Sequence, residues 1–172
     1  ETDAVIRYTT DGSEPDQDDY QYTGPIPINK TTVIKAKVYN SDPAALPGKM
    51  IFNTYFIGES FTLPVFSVSA EKMLDLANGD RSLRPIGSLE YFNRAQERTA
   101  TSYGDLNSHG QDSWKLDHRS IDWVSRDEMG YSKAVNTKLF SYSDRTEYQR
   151  FMFRSSGDDN YPAIDDGLHE GS

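Results

Sequence analysis

The stretch TTVIKAKVYN, Thr31 to Asn40, admits few folds. It is rich in β-branched residues, and its apolar positions alternate, setting Ile34, Ala36 and Val38 against Val33, Lys35 and Lys37. That period of two belongs to a strand with one buried face and not to a helix. Similar runs flank it: VIRYTT from Val5, YTGPIPI from Tyr22 and MIFNTYFIG from Met50. Asp11-Gly12, Glu14-Pro15, Gly24-Pro25 and Pro47-Gly48 punctuate these runs at the spacings of an all-β sandwich. Residues 1–58 therefore read as a small β-sandwich, incomplete at its N-terminus.

The pattern changes after Ile57. Gly58-Glu59-Ser60 forms a short link, TLPVFSVS begins a new strand, and Ser69-Ala70-Glu71-Lys72 with Met73, Leu74 and Leu76 signals a helix that Gly79 ends. A link this short implies two packed modules and not two tethered ones. Strand-like runs follow in IGSLEYFN, ATSYGDLNSHGQDSW and HRSIDWVSRDEMG, then the charged and aromatic segment AVNTKLFSYSDRTEYQRFMFRSSGDDN. In RSIDWVSR, Ile121, Trp123 and Ser125 share one face while Ser120, Asp122 and Val124 share the other, which suits an internal strand of a covered sheet. Gly104 and Gly110 read as a hairpin. Residues 62–172 are thus expected to be α+β.

Charge and composition exclude several functions. A formal net charge of -9 opposes non-specific nucleic-acid binding, which needs Lys and Arg to neutralise phosphates. With no cysteine there is no disulfide framework, thiolate metal site or Cys nucleophile. No run of about 18 apolar residues is present to span a membrane. The chain starts at Glu1 and stops at DDGLHEGS, and both ends read as cuts in a longer protein.

The candidate sites are few. Asp11, Glu14, Asp16, Asp18 and Asp19 crowd the stretch YTTDGSEPDQDDY. Asp16, Asp18 and Asp19 form a candidate calcium loop, against the alternative of a solvated acidic turn; the EF-hand spacing is not met. Arg154 with Asp158, Asp159 and Asn160 forms a second constellation, either a metal-holding group or a turn and helix cap. Tyr20, Tyr22 and Tyr39 offer rings for stacking on sugars, or for packing a strand edge. His109, His118 and His169 lack zinc spacing, and Ser113, Ser120 and Ser156 lack a G-x-S-x-G elbow. Asp127-Glu128, adjacent on a strand, would point to opposite faces and not form a glycosidase pair. Asn29-Lys30-Thr31 fits a glycosylation acceptor, and Asn29 also suits the turn into the next strand.

Two resemblances emerge from these residues. IRYTTDGSEP and YTGPIPINKTTVIKAKVYNSD resemble the fibronectin-type-III-like module at the C-terminus of chitobiases and hexosaminidases. That likeness implies an immunoglobulin/fibronectin-III-like sandwich. LPVFSVS, RPIGSLEYF, GDLNSHGQDSW, HRSIDWVSRDEMGY, KLF and FMFRSSGDDN occur in the order of blocks in the N-terminal part of CotH-type kinases, so residues 62–172 resemble that part of an atypical kinase-like fold. This second likeness implies a secreted or cell-surface bacterial multidomain protein whose parent binds ATP with Mg or Mn and phosphorylates proteins. The metal-binding and catalytic acids of the family lie downstream of the RSSGDD block, so this chain is expected to be structural and catalytically incomplete. Arg119, at the family's cationic position before Ser120, and Lys115 are the expected phosphate-facing cations. The rival expectation is a non-catalytic adhesion or scaffold protein that binds polysaccharide or a protein partner within a surface assembly. A carbohydrate-active enzyme carrying the first module as an accessory is the third; it would need a carboxylate pair across a cleft.

Overall fold

The structure, a computed structural model, describes residues 4–155 apart from 43, 111–113 and 115–118. The first half forms one antiparallel sheet from β1 (Val5–Thr9), β2 (Tyr20–Gln21), β3 (Thr32–Tyr39) and β4 (Ile51–Tyr55), in the order β2-β1-β3-β4. Arg7 lies opposite Lys37, and Lys35 opposite Phe52. Residues 22–31 carry no strand: Pro25 and Pro27 lack the N–H that a ladder needs. Because β2 and β3 flank β1, this connection must pass over β1.

The second half builds a five-stranded antiparallel sheet in the order β11-β8-β7-β6-β5. Its strands are β5 (Val65–Ala70), β6 (Ile86–Phe92), β7 (Arg98–Ser108), β8 (Ile121–Ser125) and β11 (Arg150–Phe153). A single short helix, α1 (Met73–Ala77), links β5 to β6, and a small ladder joins β9 (Val135–Asn136) to β10 (Glu147–Tyr148). The 3-10 turn Glu128–Gly130 adds one more short helical piece, so the described residues of this half are far richer in β-structure than the α+β expectation. No described helix is long and apolar enough to cross a membrane.

One face of the large sheet is apolar. Leu89, Leu106 and Trp123 are fully buried on it, together with Ile121, Trp114, Val135 and Tyr148, and α1 presses Leu76 into the same cluster while Leu74 faces solvent. Burial of side chains of this size contributes about 1.5–3 kcal/mol each. As the sequence indicated, β8 is an internal, covered strand. Gly104 does not sit in a turn: it lies within β7 opposite Ser125, where an added Cβ would collide with the Val124 carbonyl. The hairpin reading of Gly104 is corrected on that ground.

The two sheets stack face to face, which makes a β-sandwich, but across the two halves of the chain. The first half contributes one layer only. The packed face of β3 is the one bearing Lys35 and Lys37, 1% and 8% exposed. Its other face, with Ile6, Tyr20, Val38, Ile51 and Tyr55 all exposed, remains open. The link between the sheets is packed as expected: Phe56 touches Phe61 and Phe92 edge-on at 5.0 Å, and Thr31 Oγ1 donates to Glu59 at 2.5 Å.

Candidate functional site

The faces that meet between the sheets carry many polar groups, and among the described residues no buried side-chain nitrogen or oxygen lacks a hydrogen-bond partner. Lys35 Nζ donates to the Ser69 carbonyl at 2.8 Å. Lys37 pairs with Glu14, whose other oxygen accepts from Tyr103 Oη at 3.0 Å. Glu90, 1% exposed, accepts from Thr54 Oγ1 at 2.5 Å and from Arg98 Nη1 at 2.7 Å, and Arg98 also reaches the Phe52 carbonyl at 3.1 Å. Thr54 and Ser67 hydroxyls meet at 2.7 Å, and Tyr131 Oη donates to the Met50 carbonyl at 2.8 Å. At the rim, Ser69 Oγ donates to the Gly12 carbonyl at 3.1 Å. Gly12 has φ +89, and a Cβ there would strike Ser69 Oγ, so both conformation and proximity demand glycine.

Electrostatics follow from this burial. Desolvation pulls the Lys35 ammonium down to about 8, against the opposing pull of Glu14, Asp11 and Glu90. The phenols of Tyr103 and Tyr131 are pushed up, Tyr131 to about 12, by burial and then by the nearby Glu14. An amine with so low a pKa is a potential nucleophile, yet Lys35 is enclosed and hydrogen-bonded. This seam fastens two sheets.

The sequence-predicted residues are dispersed. Asp16 Oδ1 accepts from the Asp18 N–H at 2.8 Å and Asp19 Oδ2 from the Asp16 N–H at 2.7 Å, while Asp11 takes both the N–H and the hydroxyl of Ser13. The bonds from Ser13 hold the Asp11 carboxyl below its ordinary value. The acidic stretch is thus a series of side-chain-to-backbone turns, and among the described residues no three His, Cys, Asp or Glu side chains are placed to hold a metal. Arg119 donates from Nη1 to the Ala77 carbonyl at 2.9 Å, at the C-terminal end of α1, and its guanidinium lies 5.8 Å from the Trp114 ring. Arg154 follows β11 directly. Lys115, Asp158, Asp159 and Asn160 lie outside the described residues.

The loop from Asp11 to Asp19, the β1–β2 pair and the alternating β3 together decide the likeness of the first sheet. Residues 1–45 match the chitobiase/β-hexosaminidase C-terminal domain. The match ends within the connection between β3 and β4. No curated protein and no solved structure matches the chain. Within the chitobiase/β-hexosaminidase-type segment, the three tyrosines proposed for sugar stacking divide. Tyr39 Oη is committed to the Pro15 carbonyl at 2.6 Å. Tyr20 and Tyr22 are 70% and 45% exposed, and Tyr20 lies 5.7 Å from Tyr8 across the β1–β2 pair.

One charged cluster escaped the sequence reading. His109 Nδ1 lies 3.0 Å from Asp122 Oδ2, and Arg150 Nη2 donates to the same oxygen at 2.5 Å. Burial acts to raise the Asp122 carboxyl, but the hydrogen bonds from His109 and Arg150 outweigh it and hold the group below the ordinary carboxylate value. The carboxylate orients an imidazole whose side chain is 42% exposed. Only the strand register brings these residues together, and no local spacing announces it.

Proposed function

We propose that this chain is a non-catalytic binding and scaffolding part of an exported bacterial surface protein, and that its first sheet presents tyrosines to a polysaccharide. The observation that carries this reading is Tyr20, 70% exposed and paired with Tyr8 inside the segment that matches the chitobiase/β-hexosaminidase C-terminal domain. Exposed rings of this kind offer an apolar face to a pyranose and a hydroxyl to its substituents. Hexosaminidases are named for hexosamine glycosides, so a hexosamine polymer is the first ligand to test. Co-sedimentation with chitin, with cellulose as the comparison, should retain the protein on chitin and release it on Tyr20→Ala. Equal retention of the two proteins, or none of either, would reject the reading.

A second reading, a CotH-like protein kinase in the parent, is favoured by one feature. The blocks LPVFSVS, RPIGSLEYF and RSIDWVSR form neighbouring or successive strands of one antiparallel meander, with α1 inserted after its first strand. On this reading ATP with Mg or Mn binds only when the downstream acids of the longer protein are present. Titration of ATP with either metal into this chain and into a C-terminally extended one should give heat with the extended chain alone. Silence from both would remove the kinase.

A further inference from the structure

A groove of about 710 Å3 opens between the β6–β7 hairpin tip and the connection from β9 to β10. We infer that it is a separate binding site for a neutral pyranose polymer, built by the second sheet and independent of Tyr20.

One wall is an aromatic platform. Phe140 packs edge-on against buried Tyr148 at 6.0 Å, and Tyr142 stacks outward on Phe140 at 5.3 Å with an interplanar angle of 28°. Tyr142 is 86% exposed, so a large flat ring lies with one face against Phe140 and the rest toward water. The Ser143 N–H closes a turn on the Phe140 carbonyl at 3.3 Å, and Lys138 and Asp144 bridge its two ends. The platform therefore needs little ordering when a ligand arrives.

The facing wall is equally braced and is polar. Asn93 Oδ1 accepts from the N–H groups of Ala95 and Glu97, and Asn93 Nδ2 donates to Glu97 at 2.9 Å. That network fixes the tip and leaves Arg94 exposed with no ion-pair or hydrogen-bond partner among the described residues. Arg94 and Ser141 supply donors at the groove, and Tyr91 forms its buried floor.

Chemistry narrows the occupant. A stacked ring pair with donors at its edge matches the alternation of C–H faces and equatorial hydroxyls on a pyranose. A net charge of -9 disfavours a polyanion, and one guanidinium does not reverse it. Among the described residues no carboxylate lines the groove, so the site we propose holds a sugar chain and does not cleave it.

Isothermal titration of the whole chain with the β-1,4-linked hexasaccharides of glucose, mannose, xylose and N-acetylglucosamine tests this. At least one should bind, with affinity at least tenfold weaker in Tyr142→Ala and about threefold weaker in Arg94→Ala. Tyr20→Ala should leave that groove affinity unchanged. Wild-type binding by Tyr142→Ala and Arg94→Ala together with loss in Tyr20→Ala would overturn the groove and leave the first-sheet reading standing. No binding of any hexasaccharide would overturn both.

Discussion

At Lys35, burial acts against charge. The unfolded chain keeps this ammonium protonated up to its ordinary 10.5, whereas the folded chain releases the proton from about 8. Between those values the unfolded state binds more protons, so stability rises with pH, by at most about 1.4 kcal/mol per unit. Tyr103 and Tyr131 act oppositely above 10, where unfolded phenols ionise and the folded ones do not. Urea midpoints should therefore climb from pH 8 to a maximum near 10 and then fall, and Lys35→Met should remove the climb. A flat profile in the wild type would refute the burial of charge. Glu90→Ala should cost about 2 kcal/mol, because Arg98 can regain water but Thr54 loses a buried acceptor. The alternation that disclosed β3 did not disclose which side was buried. Both candidate faces carried apolar atoms, and the four-carbon stems of Lys35 and Lys37 are hydrophobic enough to line a seam whose ends reach Ser69 and Glu14.

At the level of elements, the breakers placed the strands well and the hydrogen-bond register placed the chemistry. Val65–Ala70 and Met73–Ala77 lie where the apolar runs and Gly79 put them, whereas YTGPIPI lost its strand to two prolines. The His109–Asp122 pair was invisible because it depends on β7 and β8 aligning Ser108 with Ile121. The groove was passed over for a related reason: its walls come from residues 93–94 and 140–142, which no local pattern connects. Two substitutions probe how elements bear on the sheet. Leu76→Ala should cost about 3 kcal/mol and Leu74→Ala less than about 0.5, read as shifts in urea midpoint. Gly104→Ala should abolish a cooperative transition, since the obstruction is the backbone of β8 and not a movable side chain. Near-native stability of that variant would contradict the β7–β8 register.

For the whole molecule, the seam implies that neither sheet is complete alone. Calorimetry of the intact chain should show one unfolding transition, and two separated transitions would mean that the sheets fold independently. A chain restricted to residues 62–172 should lose that single transition's midpoint by several degrees, as Glu90 and Tyr103 lose the partners that Thr54 and Glu14 supply. The seam also has a mechanical meaning. Its fastenings run from side chains of one sheet to carbonyls, hydroxyls and carboxylates of the other, so a pull that slides the layers loads many of them together. A protein anchored at one end and gripping a ligand at the other would then resist shear as a block, and yield by unzipping a sheet edge before its layers part.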